Sequence, residues 1–565
     1  EWLTKLSVIS PQDEKAILAE LIADDPNTLS ESPLKYLPPV AKTIAWLILT
    51  HHKLPQSIKS SEQSVRIEHA KYFLNRTIKA SWNSPQITNP DWKASELKAV
   101  WKFSKGIPVK SKTWCAKANR IAKRALNRSS FYNSSVHWLE DKYTLHLSRL
   151  ALMLADHYYS SKVPEPAYQA KNYKAFANSD RNSKQLKQKL DEHVIGVYKK
   201  SLQFIRTLPS LQLSLPAISN VSFLKKRNTI KRFQWQDKSY DLAKTLTEKS
   251  QQQGFFGVNM ASTGKGKTLA NARIMYGLSN QRDGCRFSIA LGLRTLTLQT
   301  GDALKQRLQL ADEDIAVLIG SQAVKRLYDS AKEEADSENR IEEKNRVIGS
   351  ESANDFEEEN NYIQYEGALF DGPLKSWLKD KPKLNSLLNA PILVSTIDHL
   401  MPATESARGG KQITPMLRLL TSDLVLDEPD DFDLADLPAL TRLVNWAGLL
   451  GSRVLLSSAT LTPSIIEALF AAYQEGRAHF NKARRVPDTN KVICCAWFDD
   501  YGVMANECAE RSQYLTTHQK FVDKRAKKLA TETIIHRAEI TPVIECGRQP
   551  ESIISALSQT ILSNI

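Results

Sequence analysis

The run Met260-Ala-Ser-Thr-Gly-Lys-Gly-Lys-Thr268 follows the apolar stretch Phe255-Phe256-Gly257-Val258. Glycines at 264 and 266 let the backbone curl until several amide N–H groups point at one anion, and a helix predicted to begin near Lys267 adds the positive end of its dipole. In such a phosphate-binding loop Lys267 reaches the β- and γ-phosphates of ATP and Thr268 holds Mg²⁺, while Thr263, Gly264, Lys265 and Gly266 line the anion. Ala261 stands where the general pattern G-x-x-x-x-G-K-[ST] has its first glycine. Far downstream, Asp427-Glu428-Pro429-Asp430 supplies complementary chemistry. Asp427 would bind Mg²⁺ through water, and Glu428 would orient and deprotonate the water that attacks the γ-phosphate. Lys267, Asp427 and Glu428 are the catalytic candidates.

These groups work together only at the ends of neighbouring parallel strands. Phe255–Met260, Phe287–Leu293, Ile392–Thr396 and Leu424–Leu426 are apolar runs that read as buried parallel strands, with Val454–Leu456 a fifth. Ser458-Ala459-Thr460 follows the fifth, and Phe233-Gln234-Trp235-Gln236 precedes the first. Arg294, Thr295 and Gln299 follow the second strand, and Thr396 and Asp398 close the third. Hydroxyl, amide and arginine groups at strand ends suit sequence-blind contacts to single-stranded nucleic acid. Thr295 and Thr396 read equally well alone as helix N-caps.

Composition bounds the partners. A chain of 565 residues, 42% hydrophobic, has room for two or three domains, and a formal charge of +15 favours a polyanion. No apolar run approaches the ~18 residues of a membrane span. Six cysteines without a C-x-x-C pair point to a reducing cytoplasm and away from structural zinc. From Trp101 to Trp138 there are nine Lys or Arg and no Asp or Glu, interleaved with aromatic residues. That is a track for a single strand or a solvated face with its rings turned inward. Lys225-Lys226-Arg227 and Lys231-Arg232 carry the same two readings. Glu333–Glu359, with eleven acidic against three basic residues, reads as an exposed insertion.

The first 200 residues hold a second chemistry. His51-His52 end an apolar helix, and Asp156 lies on another, Leu147–Ser160. Imidazole and carboxylate together suit transition metals such as Mn, Fe, Co or Ni, which activate water against a phosphodiester. Adjacent helical residues point about 100° apart. Either the backbone breaks near Leu54-Pro55, or one histidine serves a second ion or supports the first.

Several of these segments resemble superfamily 2 helicases: the A-x-T-G-x-G-K-T loop, the D-E-x-D box, the S-A-T tripeptide, and Gln236 where that superfamily reads adenine. Joined to a histidine-aspartate (HD) nuclease domain, they resemble the CRISPR-associated helicase-nucleases of type I systems. The subtype I-F form is especially similar at Thr50-His51-His52-Lys53-Leu54-Pro55, Leu154–Ser160, Met260–Thr268, Leu291–Gln299 and Glu358-Glu-Asn-Asn-Tyr362. The resemblance implies a metal held by His51, His52 and Asp156, and coupling of the acidic box to nucleic acid through Ser458 and Thr460. It implies DNA contacts from Arg294, Thr295, Gln299, Thr396 and Asp398. It also implies an antiviral interference effector of the cytoplasm, recruited by an RNA-guided surveillance complex, that reels in single-stranded DNA with ATP and degrades it. The CRISPR integrase and phage anti-CRISPR inhibitors are further implied partners.

The expected architecture is multidomain α and α/β. The C-terminal part of a helical HD-type domain spans 1–205, a first RecA-like lobe with the acidic insertion spans 206–480, and a basic connector leading to a second lobe spans 481–565. The chain opens at Glu1 and reads as a piece of a longer protein. The HD dipeptide and a third histidine are absent, as is the Q-x-x-G-R-x-x-R run that supplies an arginine finger; Glu545-Cys-Gly-Arg-Gln is not one. Lys265 stands where Ser or Cys is more usual. The chain as written is therefore expected to bind nucleotide weakly and hydrolyse it poorly. The alternatives are a superfamily 2 RNA helicase with an unrelated helical N-terminal domain, and an inactive nucleic-acid-binding remnant.

Overall fold

The computed structural model describes residues 2–11, 34–55, 59–60, 63–64, 73–78, 106–128, 138–171, 173–180, 183–280, 283–292, 294–319, 362–364, 382–406, 408–432, 436–484, 491–533 and 549–563. The acidic insertion, the Glu545 segment and both ends of the basic stretch lie outside them. Residues 1–516 form one compact unit.

Three helices organise its first part. α1, Pro39–Thr50, begins at a proline, whose fixed φ and missing N–H suit a first helical turn. α2, Lys142–Ser161, is capped by Asp141, which accepts from Thr144 N at 3.0 Å. α3, Leu190–Thr207, packs against α2 where Gly196 lets the Tyr159 ring approach; a Cβ there would stand 2.0 Å from it. Trp46, Phe73, Leu74, Ile78 and Leu145 form the small core beneath. α2 is buried on most sides because the second part of the unit covers it too: Tyr143 meets Phe480 and His146 meets Trp446, the latter with ring centroids 4.4 Å apart. The basic helix Lys112–Leu126 buries Cys115, Ala118 and Ala122 and exposes its Lys and Arg residues.

The second part is a nine-stranded sheet. In chain order come β1 Phe255–Asn259, α4 Lys267–Leu278, β2 Phe287–Leu291, α5 Arg294–Leu308, β3 Ile315–Ile319, β4 Tyr362–Gln364 and β5 Ile392–Thr396. α6 Gly409–Thr421, β6 Asp423–Asp427, β7 Val454–Ser457, β8 Ile493–Phe498 and β9 Val503–Cys508 complete it. Across the sheet the order is β9-β8-β1-β7-β6-β2-β5-β3-β4, parallel throughout except for β9 and β4 at the edges. The five expected strands are therefore present and mutually parallel, though the second stops at Leu291.

Helices on both faces explain why the inner strands are buried at every position and mostly apolar. Phe255 packs with Ile274, Met275 and Phe287 on one side of β1. Phe256 faces the other, toward Phe470 and Tyr473. Arg418 of α6, fully buried, spends its guanidinium on Ser288 Oγ (2.7 Å) and the carbonyls of Phe287, Leu387, Ala390 and Pro391, which fastens α6 to the N-terminal end of β2.

The sheet runs past residue 480, where the sequence reading places a connector. β8 pairs with β1 in register from Cys494↔Phe255 to Phe498↔Asn259, and β9 folds back on β8. The run Ile493–Phe498 is apolar on both faces because it fills the place beside β1. Residues 517–565 form a second unit, containing the end of helix Arg511–Leu529 and helix Pro550–Ser563.

Candidate functional site

Register brings the chemistry together. Asn259, Ser457, Asp427 and Phe498 stand level at the C-terminal ends of β1, β7, β6 and β8. The loop after β1 curls through Gly264 and Gly266, whose φ values of +75° and +80° are those an L side chain resists. A Cβ on Gly266 would also stand 2.7 Å from Gln236 Nε2. α4 starts at Lys267, so Lys267 and Thr268 occupy its first turn, as expected.

Lys267, largely buried, places Nζ 2.6 Å from Glu428 Oε1. Glu428 holds left-handed backbone, φ +50° and ψ +57°, which costs a residue with a side chain about 1 kcal/mol or more. Its N–H donates to Ser457 O at 2.7 Å. One turn beyond Lys267, Asn271 donates to Ser457 Oγ at 2.8 Å and to Asp427 Oδ1 at 3.4 Å, while its own oxygen accepts from Asn259 at 2.8 Å. Sequence reasoning missed this amide chain. Asn at the fourth position after the lysine faces the same side of α4, which is the signal that could have found it.

Burial pushes the Asp427 carboxyl up to about 6; Glu428 adds to the rise, while Ser457, Lys267 and Asn271 oppose it. Its unfolded value lies near 3.8, so stability tied to the protonated form is present below that value and is lost as pH rises through about 6. Asp427→Asn is therefore expected to raise unfolding free energy by about 2 kcal/mol at pH 8, with a smaller gain at pH 5. Urea denaturation at both pH values checks this, and an equal effect at the two would contradict it.

The coupling candidates stand beside the acidic box. Thr460 Oγ1 donates to Asp430 Oδ2, and Thr460 N donates to Ser458 Oγ at 3.1 Å. Burial alone would raise the Asp430 carboxyl, but the Ser458 and Thr460 hydroxyls outweigh it and hold the group below its usual range. Gln236, buried, donates its amide to Gly266 O at 3.1 Å; Trp235 Nε1 donates to Lys265 O at 3.2 Å and Arg232 to Gly264 O at 2.6 Å. The aromatic-basic segment before β1 thus grips the loop, and Arg227 is spent on Asp241. Thr263 is exposed.

Asp500, in the turn between β8 and β9, was not foreseen. Ser262 N and Oγ donate to its Oδ1 at 3.2 and 3.3 Å, and Lys265 Nζ lies 3.7 Å from its Oδ2. The extra charge that Lys265 brings to the loop is balanced there. No spacing rule links 265 to 500; only the pairing of β8 with β1 does.

Of the nucleic-acid candidates, Leu291 and Thr396 are in register, so the ends of β2 and β5 lie side by side at the same edge. Thr396 is buried with extended backbone before the turn Ile397–His399, Asp398 is exposed in that turn, and Gln299 is exposed on α5. Arg294 and Thr295 open α5, with side chains outside the described residues.

Away from this edge, His51, His52 and Asp156 offer one ligand atom each within 4.8 Å of one another. α1 ends at Thr50 and His51 caps it, still with helical backbone at φ −65° and ψ −34°; the helix does not continue through His52, and both imidazoles come within reach of Asp156. His51 Nδ1 meets Ile48 O at 2.7 Å; a carbonyl demands a donor, which leaves Nε2 as the free lone pair. Burial and the neighbouring His52 keep His51 below its ordinary pKa, hence neutral. His193 of α3 reaches Asp156 Oδ1 with Nε2 at 2.9 Å. Burial opposes ionisation of Asp156, but that hydrogen bond and the charges of His52 and His157 outweigh it, and its carboxyl sits below its ordinary value. Asp156 Oδ2 is buried, accepts no hydrogen bond among the described residues, and lies 3.9 Å from His52 Nδ1. A buried, unsatisfied carboxylate oxygen between two imidazoles fits a divalent ion. His193 is the orienting partner that such ligands usually have, invisible in sequence because no fixed spacing ties α3 to α2.

Fold and sites together define a RecA-like nucleotide-binding sheet joined to a helical HD-type module. By sequence the chain is similar to CRISPR-associated nuclease/helicases named Cas3 of subtype I-F/YPEST. It is 49% identical to that of Pectobacterium atrosepticum over 99% of this chain and 51% of the relative. It is 43% identical to that of Pseudomonas aeruginosa over 97% and 49%. The chain thus spans about half the length of the curated relatives it matches. Among solved structures, T. fusca Cas3 with ATP is 17% identical, covering 84% of this chain and 44% of that one with a TM-score of 0.39. No protein-family model matches the chain. No described helix is long and apolar enough to cross a membrane.

Proposed function

We propose that the protein carrying these two sites is a CRISPR interference effector that uses ATP to draw single-stranded DNA along its sheet edge and cuts it at the HD-type centre. The observation that supports this most is the joint presence of the Lys267–Glu428–Asp427–Asn271 cluster and the His51–His52–Asp156 cluster in one compact unit. Phosphate binding by Lys267 requires it to release Glu428, which frees that carboxylate to take the attacking water. Thr268 and Asp427 would hold Mg²⁺, which would neutralise phosphate charge, and the loop amides with the α4 N-terminus would take the rest. Asp430, Ser458 and Thr460 carry any shift of the acidic box to the strand ends where Gln299, Thr396 and Asp398 meet DNA, with Arg294 and Thr295 adjoining.

At the second site a divalent transition metal would make a bound water nucleophilic toward a phosphodiester. His51, His52 and Asp156 would hold it, and His193 would fix the Asp156 carboxylate. The exposed basic helix Lys112–Leu126 would supply charge for a DNA backbone. Recruitment by an RNA-guided surveillance complex in the cytoplasm, association with the CRISPR integrase and targeting by phage anti-CRISPR inhibitors belong to the same reading.

ATP turnover with single-stranded DNA or RNA as activator, together with Mn²⁺-dependent cleavage of circular single-stranded DNA, tests it. Stimulation by DNA, with cleavage abolished by EDTA and by Asp156→Asn, is expected. Preference for RNA, or cleavage indifferent to both treatments, would overturn the proposal in favour of an RNA helicase.

A further inference from the structure

The backbone that presents the metal-ligand pair does not stand on its own module. Lys53 pairs with Arg408 in an antiparallel bridge, and Gly409 N, at the start of α6, donates to His52 O at 2.7 Å. The approach is so close that a Cβ on Gly409 would lie 2.2 Å from His51 O and 2.8 Å from Met153 Sδ. Just behind, Arg149 of α2 is buried with Nε and Nη2 on Thr50 O at 2.9 and 2.7 Å, closing the end of α1, while its Nη1 donates to Gln412 Oε1. Gln412, buried on α6, is held in turn by donating to Ser406 O at 2.7 Å. Arg149 lies about two helical turns before Asp156 on the same helix.

From these contacts we infer that Gly409 and Gln412, residues of the nucleotide-binding part, are positioning residues for the metal centre: they set the backbone of His51 and His52 against Asp156. The inference rests on the reading of His51, His52 and Asp156 as metal ligands. It is independent of the nucleotide site, because neither residue faces the phosphate-binding loop. A side chain at 409 must push the His51 carbonyl away, and since both imidazoles hang from that backbone, their distances to Asp156 change together. Gln412 acts through Arg149, so losing its oxygen leaves a buried guanidinium N–H without its acceptor and loosens the grip on Thr50.

The test is Mn²⁺ titration of the whole chain by calorimetry without nucleotide, counting only the site that His52→Ala abolishes, with binding of a labelled ATP analogue measured in parallel. Gly409→Ala and Gln412→Ala are each expected to weaken Mn²⁺ binding by about 10- to 100-fold, the range of outer-shell partners. ATP-analogue binding should stay within about twofold of the parent. Gln412→Glu, which keeps an oxygen for Arg149 but loses the amide that donates to Ser406 O, should bind Mn²⁺ more tightly than Gln412→Ala does. Unchanged Mn²⁺ affinity in both alanine variants would overturn the inference. Should Gly409→Ala not fold, Gln412→Ala against Gln412→Glu decides alone. A parent protein with no Mn²⁺ site sensitive to His52→Ala would instead defeat the underlying metal reading.

Discussion

Asp156→Asn is expected to weaken Mn²⁺ binding by more than about 100-fold, beyond what outer-shell changes produce. Of the three candidate ligands Asp156 alone can bring a negative charge, and its carboxyl, held below its ordinary value, is ionised at neutral pH. Asparagine keeps the volume and an oxygen for His193, so the fold survives while the charge that balances a divalent ion is gone. Asp156→Ala should lose as much affinity and also leave His193 without its acceptor, a cost to the fold of about 1–3 kcal/mol. Calorimetry at pH 7.5 reads the first effect and urea denaturation the second. Mn²⁺ binding to Asp156→Asn within threefold of the parent would exclude this site as the metal centre.

Lys267→Ala is expected to weaken ATP-analogue binding by about 100-fold, corresponding to nearly 3 kcal/mol. The ammonium lies largely buried at the first turn of α4, where its attraction to phosphate is screened little by water. Its present partner, Glu428, is left beside Asp427 with no cation between them, so the variant also gathers like charges in the place a phosphate must enter. Lys267→Arg should lose less affinity but still fail in turnover, since a planar fork cannot follow one compact charge from Glu428 to phosphate. Fluorescence anisotropy separates these outcomes. Loss of less than threefold for the alanine variant would remove Lys267 from the phosphate site. Mn²⁺ titration of the same variant should match the parent, because the two clusters share no side chain.

What could be read from sequence was what is local. The loop at 260–268 and the box at 427–430 each carry their spacing within a few residues, and each strand that leads to them is apolar on both faces, so the parallel sheet was legible. The His51–His52–Asp156 cluster was legible as residue types, but its geometry was not: whether both histidines could come near Asp156 depended on where α1 stops. Asp500 and His193 were missed for one physical reason. Each earns its place through an element that pairs with or packs on a distant one. The place of Ile493–Phe498 is hidden in the same way: the run looks like the beginning of something new until β1 is seen to need a neighbour.

That neighbour has a consequence for how the molecule is made. Phe256 of β1 is paired on one side with Val454 and on the other with Cys495, so the strand carrying the phosphate-binding loop lies at the middle of the sheet yet is synthesised long before either flank. Until both arrive, its backbone groups and aromatic side chains have no native cover, and closing such long connections is slow. A nascent chain must therefore keep an open, apolar strand out of trouble, a natural task for a chaperone. A piece trimmed at residue 480 would keep that exposure permanently, with one flank of β1 bare and Asp500 gone from the loop. The sheet is finished, and the loop braced, only when the β8–β9 turn comes home.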